Sequence, residues 1–161
     1  MKSLLIIRHA KSSWEPGVSD HERPLNKRGF SDADLIGNYL ADKNLDFDQV
    51  YSSSANRALT TARIICEELS YPLHQIHFTK DLYCFDSLDL INFIKKLPNQ
   101  HHKVVVFGHN HGTTDFVNTI GDKFFMNIPT SGAVSLKFNV NDWSKIEKAS
   151  IEFNIFPKDL K

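Results

Sequence analysis

Short apolar runs alternate along this chain with longer segments of helical periodicity, and this alternation most constrains the fold. The run Ser3–Arg8, SLLIIR, has the length and aliphatic content of a buried strand. A second run, Lys103–Phe107 with the sequence KVVVF, is the clearest strand signal in the chain. Strands that alternate with helices are typical of α/β proteins.

The remaining pattern predicts four helices, at about 26–43, 55–69, 87–96 and from about 113, and two further strands, at about 48–52 and 75–78. Ser54 is the expected cap of the second helix. Ala133–Val140 and Ala149–Phe156 alternate apolar and polar residues, as half-buried strands do. We therefore expect one domain over residues 1–161, a three-layer α/β/α sandwich whose sheet is mostly parallel with an antiparallel edge.

Composition excludes several classes of protein. Nineteen basic residues balance nineteen acidic ones, so a large electrostatic footprint for nucleic acid is not expected. No apolar run approaches the roughly 20 residues of a membrane-spanning helix, and Met1–Ile7 is too short for the apolar region of a signal peptide. Cys66 and Cys84 have neither metal-ligand spacing nor a disulfide framework around them, which is typical of reduced thiols in a cytoplasmic protein.

Basic side chains follow three of the predicted strands. Arg8 and His9 lie at the end of the first strand, and Arg57 lies at the start of the helix after the second. His109 follows the strand predicted at Lys103–Phe107. Ligands of open α/β sheets bind beyond the carboxyl ends of the strands, so these residues would line one anion pocket. Phosphoryl transfer requires such positioned cations, and a neutral histidine nitrogen can act as its nucleophile.

Spacing alone leaves other interpretations open. A histidine beside an arginine at a strand end is also typical of a structural or exposed pair. A metal hydrolase would draw on the four histidines in and before the Gly108–Gly112 segment, which are His101, His102, His109 and His111. A catalytic zinc site normally has three protein ligands, often with a carboxylate, and no such spacing is present.

Four motifs in register resemble a known family. They are LLIIRHAKSSW at Leu4–Trp14, HERPLNKRG at His21–Gly29, YSSSANRALTTA at Tyr51–Ala62 and VVVFGHNHG at Val104–Gly112. Their order and spacing resemble the small, SixA-type branch of the histidine phosphatase superfamily, which has the phosphoglycerate mutase-like fold and an RHG motif. This branch consists of phosphohistidine phosphatases.

The resemblance implies a role for each matching residue. Arg8 and Arg57 match the two phosphate-binding arginines, and His9 matches the histidine that becomes phosphorylated. His109 matches the second histidine, which binds phosphate and stabilises the transition state. Arg23 resembles a further cation at the pocket edge. The resemblance also implies that the reaction needs no metal or organic cofactor.

Three positions depart from the family pattern. Ala10 stands at the third position of the RHG motif, and His111 stands where proline is frequent, so that it either adds a hydrogen bond at the rim or lies in solvent. Larger family members place an acidic proton donor near an inserted helical lid, for which this chain is too short. Asp81 is the nearest candidate for that donor, and its match is poor.

The weakly matched acid favours one class of substrate. A histidine imidazole, with an ordinary pKa of about 6.5, leaves phosphorus more easily than an alkoxide does. The expected substrate is therefore a phosphohistidine in a signalling or phosphotransfer protein. The alternatives are a phosphomonoesterase acting on sugar or nucleotide phosphates and a non-catalytic phosphate-binding module. Trp14 and Trp143 are expected to be packing residues, and Trp14 lies close enough to the first motif to form a pocket wall. Phe124–Met126 is expected to belong to the core or to a lid edge rather than to a partner surface.

Overall fold

The computed structural model describes all residues, 1–161. The strands are β1 (Lys2–Arg8), β2 (Gln49–Ser53), β3 (His77–Thr79), β4 (Lys103–Gly108), β5 (Ala133–Phe138) and β6 (Ser150–Ile155). The helices are α1 (Lys27–Asp42), α2 (Asn56–Glu68), α3 (Ser87–Lys95) and α4 (Gly112–Ile120). None of the helices combines the length and the apolar character that crossing a bilayer requires.

One six-stranded sheet organises the chain, in the order β3-β2-β4-β1-β5-β6. Strands β3, β2, β4 and β1 are parallel, whereas β5 runs antiparallel to β1 and β6 antiparallel to β5. The predicted sheet, mostly parallel with an antiparallel edge, is confirmed. The carboxyl ends of β1, β2 and β4 meet at one edge of the sheet, where β5 begins.

The alternating side chains of β1 divide the core into two layers. Leu4 and Ile6 pack into an apolar cluster that includes Leu90 of α3 and Phe116 of α4. The intervening residues of β1, Leu5 and Ile7, pack into a second cluster with side chains of α1 and α2. A strand that is apolar on both faces lies between two helical layers. The three-layer sandwich predicted from the sequence is therefore confirmed.

Two local predictions are wrong. Ser54 does not cap α2, since the residue at that position is Ala55, which makes no side-chain cap. The Ser53 hydroxyl instead accepts a hydrogen bond of 3.2 Å from the Ala55 N–H. Strand β5 is not half-buried, because it lies between β1 and β6 and every residue except Lys137 is covered.

The first turn of α1 holds the segment that follows β1. Asn26 caps the helix by accepting a hydrogen bond of 2.8 Å from the Gly29 N–H, while its own N–H donates to the Lys11 carbonyl at 3.0 Å. Gly29 presses on the same carbonyl so closely that a Cβ atom would lie 2.1 Å from the Lys11 oxygen. Glycine at this position therefore allows α1 to pack against the chain just beyond His9.

We predict that Gly29→Ala lowers the free energy of unfolding by about 1–3 kcal/mol, the usual cost of overpacking, because the helix must move away from Lys11. Gly37→Ala is the matched control in the same helix, since the nearest atoms to a new Cβ belong to the flexible Glu68 side chain, at 3.0 Å. Urea denaturation measures both. Equal losses at the two positions would contradict the proposed steric role of Gly29.

Candidate active site

The carboxyl edge of the sheet brings together the four residues singled out by the motifs. Arg8 is the last residue of β1, and His9 follows it; Arg57 lies in the first turn of α2, and His109 follows β4. The rings of His9 and His109 have centroids 5.1 Å apart. His9, Arg57 and His109 are 7%, 2% and 2% exposed, so both imidazoles and one guanidinium are buried in the site.

Backbone hydrogen bonds fix the position of Arg8 and His9. The His9 N–H donates to the Gly108 carbonyl at 3.0 Å, which continues the pairing of β1 with β4. From the other side, the Ser131 N–H contacts the carbonyl oxygens of Arg8 and His9, each at 3.1 Å. Ser131 has a φ of 62°, a left-handed conformation that turns the chain into β5. Hydrogen bonds of the His9 backbone therefore fix the position of this candidate nucleophile.

The protonation state of His9 follows from its contacts. His9 Nδ1 lies 2.7 Å from the Ala10 carbonyl oxygen, which can only accept, so Nδ1 carries the proton and Nε2 keeps its lone pair. Burial is the main cause that lowers the pKa of His9 to about 3, and the charges of Arg57, Arg8 and Arg23 act in the same direction. The ring is thus neutral at pH 7, with a nucleophilic nitrogen available at Nε2.

His109 is held as a donor toward the site. Its Nε2 lies 2.8 Å from the Ser53 hydroxyl, and that oxygen already accepts from the Ala55 N–H. Of the two tautomers that this contact permits, the one in which the Ser53 hydroxyl donates to Nε2 leaves the ring proton on Nδ1. His109 Nδ1 is buried and has no partner within the protein. Burial, followed by the charges of His9 and Arg57, lowers the pKa of His109 to about 2, so this donor belongs to a neutral ring.

Arg57 is fixed by the 3-10 segment Asp20–Glu22. Its Nη1 donates to the Asp20 carbonyl at 2.6 Å, and its Nη2 donates to the Asp20 carboxylate at 3.1 Å. The Thr61 hydroxyl donates to the Arg57 carbonyl at 2.7 Å and accepts from the Ala10 N–H at 2.9 Å. Helix α2 and the segment after β1 are thereby held in one geometry.

Asp20 is a site residue that the sequence analysis missed. Its carboxylate accepts hydrogen bonds from Arg57, from Arg23 at 3.2 Å, and from the Tyr83 hydroxyl. The Tyr83 hydroxyl, followed by Arg57, lowers the pKa of Asp20 to about 2, so the carboxylate is ionised and carries no proton to donate. Sequence spacing could not reveal Asp20 or Ser53, because their partners are distant in the chain. Tyr83 lies 63 positions from Asp20, and His109 lies 56 positions from Ser53.

The other sequence candidates lie farther from His9. Arg23 is buried and reaches the site through Asp20, with the Trp14 ring stacked 3.6 Å from its Cζ atom. Asp81 is exposed, and its carboxylate makes no hydrogen bond within the protein. The His111 ring is also exposed and has no hydrogen-bond partner. The structure thus brings Arg23 to the site and leaves Asp81 and His111 in solvent.

The four histidines considered for a metal site are not brought together. His101 and His102 precede β4, whereas His109 and His111 follow it, so the two pairs lie at opposite edges of the sheet. No three histidine, cysteine, aspartate or glutamate side chains gather in a geometry suited to a metal ion.

Three N–H donors around His9 have no acceptor within the protein. They are Arg8 Nε, Arg57 Nε and His109 Nδ1, and each is buried. An unsatisfied buried polar group costs about 1–3 kcal/mol, so such groups are normally paired. Three unpaired donors in a site with two guanidinium groups indicate an arrangement that receives the oxygens of an anion.

Comparison with known proteins agrees with this geometry. The family model of the histidine phosphatase superfamily, branch 1, matches residues 4–82, which include Arg8, His9 and Arg57. The first half of the chain is therefore similar in sequence to the histidine phosphatase superfamily. An uncharacterized chloroplastic protein of Arabidopsis thaliana is 26% identical over 153 residues, which cover 89% of this chain and 70% of the relative.

Solved structures share the fold of this protein over nearly the whole chain. The protein histidine phosphatase SixA complexed with tungstate superposes with a TM-score of 0.82, at 21% identity and 99% coverage of both chains. A putative phosphohistidine phosphatase SixA of Agrobacterium tumefaciens gives a TM-score of 0.81 at 24% identity, covering 96% of this chain and 97% of that one. The predicted fold, without a large helical lid, is confirmed.

We predict that His9 and His109 remain neutral from about pH 5 to about pH 8, because burial opposes their protonation. Nitrogen-15 NMR of the rings should show the proton of each on Nδ1, with no titration in this range. The ordinary pKa of a histidine in water, about 6.5, lies within this range, so a ring of ordinary pKa would change its signal there. If the His9 ring titrated near that value, Nε2 would be protonated at lower pH, and the assignment of a lone pair to Nε2 would be wrong there.

We further predict that Ser53→Ala changes the tautomer of His109, since Nε2 loses the hydroxyl that donates to it. The same NMR experiment should show a fraction of His109 with its proton on Nε2. Ser52→Ala is the control, because the Ser52 hydroxyl is buried on the same strand but donates to the Ser53 carbonyl at 2.9 Å. A His109 tautomer unaffected by Ser53→Ala would show that another group fixes it.

Proposed function

We propose that this protein is a metal-independent phosphatase that forms a phosphohistidine intermediate on His9 and acts on phosphohistidine in a protein. The observation that carries the proposal is the state of His9. Its Nδ1 is tied to the Ala10 carbonyl at 2.7 Å, so its bare Nε2 is available in a site with unpaired buried donors. A neutral imidazole held in this way is a nucleophile, and the donors match the oxygens of a phosphoryl group.

Two displacements at phosphorus complete the proposed reaction. His9 Nε2 attacks phosphorus while the bond from phosphorus to the substrate nitrogen breaks, and that bond's electron pair stays with the leaving imidazole. Water then attacks phospho-His9, the bond between phosphorus and Nε2 breaks, and inorganic phosphate forms. Arg8, Arg57 and His109 hold the equatorial oxygens in both steps, where charge is spread over three atoms.

The leaving group explains how the reaction proceeds with an ionised Asp20. The Asp20 carboxylate has no proton to give, and Asp81 lies in solvent without a contact to the site. A phosphorylated imidazole that carries a proton on its second nitrogen departs neutral, since the ordinary histidine pKa is about 6.5. A serine or sugar alkoxide would need a general acid. The arrangement therefore favours phosphohistidine over a phosphate ester.

The tungstate bound by the structurally similar SixA supports the anion site in this proposal, because tungstate, like phosphate, is an oxyanion. Solved proteins of the same fold also include phosphatases of small phosphate esters, among them a mycobacterial glucosyl-3-phosphoglycerate phosphatase with a TM-score of 0.67. Substrate comparison must therefore decide between phosphohistidine and small esters.

The first test is phosphate release in EDTA from a protein phosphorylated on histidine, compared with release from phosphoserine and sugar phosphates. We expect wild type to prefer phosphohistidine, His9→Ala to be inactive, and Arg57→Ala to lose about 10³-fold or more in kcat, as for other arginines that stabilise phosphoryl charge. Acid-labile phosphate should accumulate on His9 during turnover and be absent from His9→Ala.

Different outcomes would separate the alternatives. Equal or faster hydrolysis of small esters would move the assignment to a phosphomonoesterase of the same superfamily. Binding of phosphate without release from any substrate would indicate a phosphate-binding module. Loss of activity in EDTA would contradict the metal-independent mechanism.

Asp20 should act through Arg57. We predict that Asp20→Ala lowers kcat by about tenfold, because Arg57 Nη2 loses its partner, and that it costs little further when Arg57 is already alanine. Such non-additivity identifies residues that act as one unit. Steady-state kinetics of the two single variants and the double variant measures it.

Asp81→Ala is the matched control for that experiment, since Asp81 is an exposed acid near Tyr83 that makes no contact with Arg57. It should retain wild-type kcat. If Asp81→Ala lost activity with a changed pH profile and Asp20→Ala did not, Asp81 would be the proton donor and the assignment of Asp20 would be wrong.

A further inference from the structure

Exposed apolar side chains are concentrated at the edge of the sheet that holds His9. Eight large hydrophobic residues are exposed, and five of them lie on the segments that follow β1, that follow β3 or that precede β5. We call these five the apolar rim, and they are Trp14 (78% exposed), Phe85 (46%), Leu88 (65%), Phe124 (74%) and Met126 (89%). Several large apolar side chains exposed around one site commonly mark an interaction surface.

Direct contacts connect the rim to the phosphate site on two sides. The Trp14 ring covers Arg23 at 3.6 Å, and Arg23 binds the carboxylate that holds Arg57. The Phe85 ring contacts His109, with centroids 5.0 Å apart. Leu88 lies three residues after Phe85, at the exposed start of α3.

The segment before β5 supplies the third side. The Asn127 side chain accepts from Asn110 at 2.8 Å, and the Ile128 carbonyl accepts from Arg8 Nη1 at 2.9 Å. These bonds place the segment beside both Arg8 and the residue after His109. Phe125 points inward and packs with Phe156, so it belongs to the core as the sequence predicts, whereas Phe124 and Met126 remain exposed.

The depth of the site determines what can cover the rim. His9 is 7% exposed, so a phosphoryl group reaches Nε2 only if the molecule that carries it lies against the surrounding surface. A sugar or nucleotide phosphate would bring hydroxyl groups to apolar side chains and could touch only part of the rim. A protein whose phosphohistidine projects from an apolar face would cover it, because aromatic residues and methionine are favoured in interface centres.

We infer that the apolar rim is the docking surface for the phosphohistidine-bearing protein, and this inference rests on the proposed function. The rim supplies affinity for the protein around the phosphohistidine, while the site beneath it performs the same chemistry on any accessible phosphohistidine. Docking should therefore appear in KM for a protein substrate and be absent from turnover of a small one.

The test compares two probes, free phosphohistidine and an isolated histidine-phosphotransfer domain phosphorylated on histidine with phosphoramidate. The variant carries Leu88→Ala, Phe124→Ala and Met126→Ala, three exposed rim residues that touch none of the catalytic side chains. Leu73→Ala is the control, since Leu73 is an exposed apolar residue in the connection between α2 and β3, at the opposite edge of the sheet.

We expect wild type to show a kcat/KM for the domain at least about tenfold above that for free phosphohistidine. The triple variant should lose about tenfold of it, through KM, as the removal of interface side chains commonly does. Its turnover of free phosphohistidine should stay within about twofold of wild type, which also reports that the variant is folded. Leu73→Ala should behave as wild type with both probes.

Three results would overturn the inference. Wild type could show no preference for the domain, or the triple variant could keep that preference. Alternatively, light scattering could show a wild-type dimer that the triple variant converts to monomer, which would make the rim a contact between two copies of this chain. Wild type that hydrolyses neither phosphohistidine probe would instead refute the proposed function, and with it the premise of the docking surface.

Discussion

The position of β1 between β4 and β5 is the constraint on which the site depends. Pairing with β4 continues one residue beyond the strand, through the hydrogen bond from the His9 N–H to the Gly108 carbonyl. On the other side, the Ser131 N–H contacts the carbonyl oxygens of Arg8 and His9 as the chain enters β5. Because both neighbours hold its backbone, the His9 ring has little freedom except rotation, and its Nδ1 contact with Ala10 removes that freedom as well. Such fixed geometry is what nucleophilic catalysis requires, since small displacements of reacting groups cost rate.

Burial and hydrogen bonding then divide the tasks of the two histidines. Both rings are neutral because desolvation opposes their charge, and the neighbouring arginines reinforce the effect. The acceptor at Nδ1 of His9 exposes a lone pair at Nε2, whereas the hydroxyl at Nε2 of His109 exposes a donor at Nδ1. In the proposed mechanism the same type of side chain serves as the nucleophile at His9 and as a ligand of the phosphoryl oxygens at His109, and the hydrogen-bond partner of each ring makes the difference.

Asp20 places a fixed negative charge beside the cations of the site. It holds Arg57 and Arg23 and is itself held by Tyr83, so the arginines are oriented before a substrate arrives. Pre-organisation of this kind reduces the reorganisation needed in the transition state. The carboxylate would repel a second anion, but the unpaired Nε atoms of Arg8 and Arg57 and Nδ1 of His109 leave separate donors for the phosphoryl oxygens. The site can therefore keep a structural carboxylate and still bind phosphate.

The layer architecture, and the meeting of the four motif residues at one edge of the sheet, can be predicted from local sequence patterns. Apolar runs such as KVVVF are buried strands wherever two helical layers cover them, and basic residues that follow parallel strands must meet at one edge. The hydrogen-bond partners of those residues could not be predicted in this way, because Ser53 contacts His109 across 56 positions of chain and Asp20 contacts Tyr83 across 63. The tertiary structure also decided that Ala55 rather than Ser54 stands at the cap of α2, since the Ser53 hydroxyl already accepts from the Ala55 N–H. Local patterns report periodicity and turn chemistry, whereas the tautomer of a buried ring and the charge state of a carboxylate depend on groups that only the folded chain brings near.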